Sequence, residues 1–458
     1  MQPSANKPAV RRVVPVVKPL TAKQMSGAIS GALLAATAVL VPSAAVAVDT
    51  CHGQAATISP DSNGRLTGTP GPDVIVAFAD QRVDAGAGDD LICVVASTPG
   101  SDVDAGPGDD TVDTTRSFVA TVVSLGEGED TLIGGRGEDD VYGSAPEGLG
   151  EHGINPLDTE RDVISTGGGD DKVFSGSLGS PNLDKLTTGA GSDRIDIVGL
   201  DHTLELDAGP GTNTAIVTLS ATETTAWVVD EAKRSLHFDE ATSHWKGDVQ
   251  RWYFTLAAGS TPSSLVFLGT RTDEQAFVSG KGLVPHFRMG GGNDWAGSLT
   301  TPGGSFALGA GHDRLTLGKY DDINVTFPIE DLRVDLRAHR ARFGPIESPV
   351  WGVEELIAGA SLVRAFGTGG GEKITANGCD VAVWGRSGPD RLVRGRDVIS
   401  LCGGDVNSRI YGGRGNDILW GSQITDDLLV GGPGFDRARG MSGTDTCYTE
   451  VARGCELP

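Results

Sequence analysis

Gly412-Gly-Arg-Gly-Asn-Asp417-Ile-Leu419 decides how the chain is read. Two glycines, a third two residues on, an aspartate and an apolar pair describe a tight turn running into a short strand. Glycine permits positive φ and close approach of neighbouring backbone. The apolar residues after the aspartate suit a brief strand. Beyond Asp417 the aspartate returns at Asp427, Asp436 and Asp445, at steps of 10, 9 and 9.

The same phrase, Gly-x-Gly-x-Asp-x-apolar, recurs upstream. Gly86-Ala-Gly-Asp-Asp90-Leu-Ile92, Gly106-Pro-Gly-Asp-Asp110-Thr-Val112 and Gly126-Glu-Gly-Glu-Asp130-Thr-Leu132 follow one another at 20 residues, and Gly135-Arg-Gly-Glu-Asp139-Asp-Val141 comes 9 later. Further copies run from Gly167 to Asp171, Gly189 to Asp193, Gly209 to Asn213, Gly290 to Asp294 and Gly309 to Asp313, and Asp73 and Asp390 join the set. A turn and strand of about nine residues make half a coil, and about eighteen to twenty complete one. Stacked coils set equivalent residues roughly 4.8 Å apart. Each coil buries its apolar residues only against its neighbours, which predicts an all-β parallel solenoid.

Composition agrees. Gly is 67 of 458 residues and aromatics only 5%, too few large side chains for a compact core of this length. With 38% hydrophobic residues in short runs throughout, long disorder is disfavoured. Net charge is −24; the first 47 residues hold five cations and no acid, leaving −29 on the rest. Such a surface repels nucleic acid and anionic lipid and suits hard cations.

Residues 1–47 read as a signal peptide: basic residues up to Lys23, an uncharged apolar stretch from Met25 to Val41, and small residues Ala45-Val46-Ala47 before the cleavage point. An uncleaved anchor is the competing reading. The expected location is therefore extracellular, with no membrane span after cleavage. Six cysteines, Cys51, Cys93, Cys379, Cys402, Cys447 and Cys455, fit an oxidising compartment. None forms a CxxC.

The phrase resembles the RTX, or haemolysin-type, nonapeptide Gly-Gly-x-Gly-x-Asp-x-apolar-x, closely at Gly134 to Val141, Gly412 to Leu419 and Gly431 to Ala438. Cys51-His-Gly-Gln-Ala-Ala-Thr-Ile58 and Gly443-Thr-Asp-Thr-Cys447 with Cys455 also resemble bacterial exported calcium-binding proteins. The resemblance implies a right-handed parallel β-roll or β-helix, with Ca²⁺ held between turns stacked one coil apart. On that reading the metal-ligating residues are Asp73, Asp90, Asp110, Asp130, Asp139, Asp171, Asp193, Asp294, Asp313, Asp390, Asp417, Asp427, Asp436 and Asp445. Asp90, Asp110 and Asp130 would form one ladder and Asp171 and Asp193 a second, with the four C-terminal aspartates alternating sides. Lys373 replaces the aspartate after Gly369-Gly-Gly371, so that turn is expected to hold no ion; Asn213 would ligate weakly through its amide oxygen. Rod geometry favours disulfides between neighbours: Cys51–Cys93, Cys379–Cys402 and Cys447–Cys455.

The expected organisation is a signal peptide over 1–47 and a degenerate RTX-like β-roll over 48–213. Broader coils with two related segments follow over 214–384, then a C-terminal RTX-like β-roll with a disulfide cap over 385–458. The related segments share Val229-Asp230, Trp245 and Leu268-Gly269-Thr270 against Val334-Asp335, Trp351 and Phe366-Gly367-Thr368. All seven Trp lie from Trp227 onward, which predicts a thicker core there. Residues Ser144 to Glu160 read as a surface loop.

The sequence contains no His-Glu-x-x-His, no Gly-x-Ser-x-Gly and no phosphate-binding loop. The expected function is calcium binding coupled to folding, without catalysis. A polysaccharide lyase or epimerase is the enzymatic alternative, with Arg333, Asp335, Arg337, His339 and Arg340 as the nearest constellation; a calcium-stiffened adhesion or surface protein is the structural one. Expected partners are calcium ions and no nucleic acid, with a cell-surface or polysaccharide partner left open.

Overall fold

A computed structural model describes residues 49–98, 101–143, 159–178, 180–199, 204–221, 223–238, 241–300, 302–318, 329–395, 402, 406–423 and 425–456. The expected signal peptide and all but the last two residues of the expected loop at 144–160 lie outside the described residues.

Each coil contributes one short strand to each of two parallel sheets. In the first sheet Val74–Phe78 pairs with Leu91–Val95, and the ladder continues through Thr111–Asp113, Thr131–Ile133, Val163–Ser165 and Lys185–Thr187. Arg82–Asp84, Ser101–Pro107, Thr121–Glu127 and Asp139–Tyr142 begin the second in the same way. The 20-residue step is thus one coil, and the step of 9 from Asp130 to Asp139 crosses from one sheet to the other.

Strand alternation then builds the core. Ile75, Ile92, Val112, Leu132, Ile164 and Leu186 lie in one register column and are all buried. Val83, Val103, Val123, Val141, Val173 and Ile195 form the facing column. Among the described residues there is no helix. The parallel β-solenoid predicted from the repeat is the fold.

The two related segments are more than broadened coils. Ala226–Asp230, Ser235–Phe238 and Ala241–Lys246 form an antiparallel meander inside the first sheet, its last strand stacked on Glu205–Asp207 and its first on Ser263–Leu268. Asp331–Asp335, Arg340–Phe343 and Ile346–Trp351 repeat the arrangement. The second sheet runs straight past both, Asn213–Leu219 onto Val249–Leu256 and Arg314–Leu317 onto Glu355–Gly359. Equating Trp245 with Trp351 is corrected. Trp245 pairs with Leu206 and is 6% exposed, whereas Val350 takes the inward place against Phe306 and Trp351, one residue on, is 46% exposed. A one-residue offset turns a strand side chain to the other face.

The core does thicken where the tryptophans begin. Trp227, Trp245 and Trp252 are buried there, and Phe254, Phe267, Phe287 and Phe306 follow one another edge to face at centroid separations of 6.4, 6.0 and 5.8 Å. Disulfides join neighbours: Cys51–Cys93, Cys379–Cys402 and Cys447–Cys455, with Cα separations of 5.5, 5.4 and 5.9 Å.

Phe287 touches the rings before and after it, so Phe287→Ala should destabilise the chain by about 3–5 kcal/mol. Phe435→Ala, at a 51% exposed ring, should stay within about 0.5 kcal/mol. Denaturant unfolding followed by tryptophan fluorescence checks both; equal effects would mean the phenylalanine column does not hold the coils together.

Candidate metal centre in the stacked turns

The aspartate closing each turn sits where the chain enters a strand, and its carboxylate reaches back to the coil before. Asp73, Asp90 and Asp110 donate their backbone N–H to Oδ1 of Asp90, Asp110 and Asp130 at 2.7, 2.7 and 2.8 Å. This ladder at the entry to the first sheet continues to Asp162 and Asp184. At the entry to the second sheet Asp139, Asp171, Asp193 and Asn213 are linked identically. Glu274, Asp294 and Asp313 make a third series, and Glu372, Asp390, Asp417 and Asp436 a fourth. Asp427 and Asp445 form a last, short one back at the first sheet.

The other carboxylate oxygen carries the chemistry. Oδ2 of Asp90, Asp110, Asp130, Asp171, Asp193, Asp294, Asp313, Asp390, Asp417, Asp436 and Asp445 is buried and accepts no hydrogen bond, as is Oδ1 of Asp139. It lies under the start of its own turn: a Cβ on Gly431 would come 2.3 Å from Asp436 Oδ2, which is why the phrase opens on glycine. Gly126 shows the other constraint. Its φ is +129°, and a Cβ would meet the Gly106 carbonyl oxygen at 1.8 Å.

Burial without a counter-charge favours the protonated acid. Desolvation, reinforced by the neighbouring Asp130 and Asp90 carboxylates, pushes Asp110 up to about 8. Burial likewise raises Asp390 to about 8, Asp130, Asp139 and Asp294 to about 7, and Asp90 and Asp171 to about 6. Asp193, Asp313, Asp417, Asp436 and Asp445 shift the same way for the same cause.

Asn213 shows what the empty-handed oxygen faces. Its Oδ1 accepts from Asp193 N–H like any rung, but its Nδ2 donates to the carbonyls of Ala208 and Asp248 at 2.6 and 2.9 Å. The amide fills with N–H donors the role that a carboxylate oxygen cannot. An aspartate in that place needs a proton or a cation. Carboxylate and carbonyl oxygens in Gly-rich turns are the donor set of Ca²⁺. The residues present therefore fit the ion, and Asn213 needs none.

Ladder ends have their own residues. Asp73 starts the first; burial pushes its carboxyl up, but the Thr69 amide and the Thr69 and Thr57 hydroxyls outweigh this and hold it below its ordinary value. Thr270 and Thr368 serve Glu274 and Glu372 alike, and Ser422 N–H donates to Asp427. At the other ends the last N–H is accepted by Asn182 for Asp184, Gln250 for Asn213, Glu354 for Asp313, Glu450 for Asp436 and Glu456 for Asp445.

The structure thus brings every predicted aspartate into a ladder, with Asp139 below Asp171, and Asp417 and Asp436 on the side opposite Asp427 and Asp445. Asp73 and Asp427 differ from the rest in that neither has an orphaned oxygen among the described contacts. The reading of Lys373 is corrected: it is the first strand residue, paired with Glu355, and the turn position belongs to Glu372, whose N–H donates to Asp390. A glutamate there falls outside the repeat phrase, which carries aspartate. Also missed were Asp162 and Asp184, which follow no Gly-x-Gly, and an exposed outer row. Its amides run the other way, Asp109 to Asp89 and Glu129 to Asp109 at 3.2 and 3.0 Å.

Comparison with known families gives the same assignment on part of the chain. Residues 122–145, 158–177, 403–423 and 424–450 match, as four copies, the family model of the RTX calcium-binding nonapeptide repeat. A search of curated proteins finds no match. The matched copies cover Asp130, Asp139, Asp171, Asp417, Asp427, Asp436 and Asp445, rungs of the ladders described above. Over these four stretches the chain thus carries RTX calcium-binding nonapeptide repeats.

Proposed function

We propose that the chain is an exported calcium-binding protein in which Ca²⁺ uptake by the interior rungs of the ladders is coupled to folding. The observation that carries this is the row of buried Oδ2 atoms with no donor. Each neighbouring pair of carboxylates, about 5 Å apart, repels by roughly 3 kcal/mol at an effective dielectric of 20. Bound calcium would supply the positive charge that lets those carboxylates stay ionised. The residues that would hold it are the interior aspartates, from Asp90, Asp110 and Asp130 to Asp417, Asp436 and Asp445, with the carbonyls of their turns. Asp73 and Asp427 are better read as self-satisfied ends. Export accords with the basic-then-apolar leader and with the three disulfides. Among the described residues no helix is long and apolar enough to cross a membrane.

A binding role rather than catalysis is also the reading favoured by the constellation weighed for sugar chemistry. Asp335 is clamped by Arg386 at 3.0 and 3.1 Å, and the Arg333 guanidinium lies over the Phe366 ring, so both are engaged in packing the coil.

Two outcomes are expected. In chelator the native state holds protons that the unfolded chain releases near the ordinary aspartate value of 3.8, since Asp110 and Asp390 titrate at about 8. Native carboxyl pKa values above the unfolded ones make stability fall as pH rises, here from about pH 4 to pH 8. Millimolar Ca²⁺ should flatten that slope and release protons on binding. Melting by circular dichroism across pH, with and without Ca²⁺, reads it; a pH-independent chelated protein would refute the coupling.

Asp110→Asn separates ion from turn. Its amide would donate as Asn213 does, so without calcium the change should be neutral or mildly stabilising. With calcium it should lower both affinity and melting temperature, beyond the ~0.5 kcal/mol of an ordinary surface change. Equal shifts in both conditions would show that the turn, not the ion, explains the repeat.

A further inference from the structure

The second sheet ends in a face whose charge is opposite to that of the chain. In Arg391–Arg394, Ile418–Trp420, Arg437–Arg439 and Val451–Arg453 the outward residues are Arg391, Val393, Ile418, Trp420, Arg437, Arg439, Val451 and Arg453. None is acidic, on a chain of net charge −24. The acidic side chain at the rim, Glu450, is turned to the Asp436 amide at 2.7 Å. Two coils before Arg391 the pattern differs: Glu355 sits on the sheet between Lys373 and Arg314, bonded to both.

Trp420, Arg439 and Arg453 occupy one register column on successive strands. The Arg391 guanidinium lies 4.4 Å from the centroid of the Trp420 ring, and Arg437 flanks the column two residues away. Among the described residues no carboxylate lies within ion-pair distance of Arg391, Arg437, Arg439 or Arg453. Arg439 and Arg453 also line a cleft of about 540 Å³ at the last coil. Like charges directly opposite on neighbouring strands disfavour the sheet. Folding gives no reason for the pair, whereas a ligand does.

We propose that this face binds a linear anionic glycan, a chain of uronate sugars carrying one carboxylate each. Guanidinium forks match carboxylates in two-point hydrogen bonds. A column of one indole and two guanidiniums offers an apolar surface for a sugar ring in line with its acid groups. The patch spans four strands, on the order of 15 Å. A nucleic acid duplex, with a charge every ~1.7 Å, would overrun it onto the acidic coils. This inference is independent of calcium in the ladders.

The test uses the full chain in calcium and a fluorescent trigalacturonate, short enough to lie on the patch, read by anisotropy. Arg439→Ala with Arg453→Ala should weaken binding at least about tenfold, as expected for losing two charge-assisted contacts, with melting unchanged. Arg161→Ala, at an exposed arginine in the turn before Val163–Ser165 of the other sheet, should leave binding intact. If the double variant folds poorly, Arg453→Gln alone, on the last strand, should still weaken binding several-fold. Neutral dextran should not compete. The proposal is overturned if the arginine variants bind as well as the native chain. It is overturned equally if single-stranded DNA of the same length binds as tightly, or if binding vanishes in chelator while surviving the arginine changes, since calcium bridges would then hold the glycan.

Discussion

The contact on which the rest of the structure depends is a backbone amide donating to the carboxylate of the next coil. It fixes the vertical register of the solenoid, because a turn shifted by two residues would offer a glycine, such as Gly108 or Gly415, where the acid is required. It also brings aspartates of one kind into a buried row, about one strand spacing apart. The attraction that stacks the coils thereby creates a repulsion that the protein alone cannot relieve. Without a bound cation the carboxyls hold protons near neutrality, as the raised values at Asp110 and Asp390 show.

The molecule limits that cost by dividing the rows. Asn213 and Gln250 close one ladder just below the first meander, and Glu354 closes another at the second, so no row crosses a meander. Above each meander the row restarts on a glutamate, Glu274 or Glu372, tied to threonines of its own turn. The meanders add strands to one sheet only. The aromatic core, with Phe254, Phe267, Phe287 and Phe306 in sequence, takes over the cohesion where the acids are fewest.

The solenoid, its coil length and the pairing of most rungs were legible because the phrase itself is the structural unit: glycine where a Cβ cannot fit, acid where the amide needs an acceptor, apolar residue where the strand turns inward. What escaped was whatever satisfied the same geometry in other letters. Glu372 fills an aspartate position with a longer side chain, and Lys373 beside it drew attention one residue too far. Asp162 and Asp184 stand in rungs without the preceding glycines. Trp245 and Trp351 looked equivalent as letters, yet strand alternation sends one to the core and the other to solvent. The meanders escaped because their first hairpin turns, Glu231 to Arg234 and Leu336 to His339, contain no Gly or Asn to mark a tight turn, leaving only the longer apolar alternation.

Every inner ladder has a direction: the donor is always in the earlier coil and the acceptor in the later one. Asp90 waits for Asp110, and Asp130 waits for a residue 32 positions on. A chain synthesised from its N-terminus therefore always carries, at its newest coil, an amide whose partner has not yet been made. Growth of the folded stack is one-way, like a zip fastener whose slider can be parked only where a side chain such as Gln250 or Glu354 stops the track. The final stops, Glu450 and Glu456, come just after the last rungs they secure.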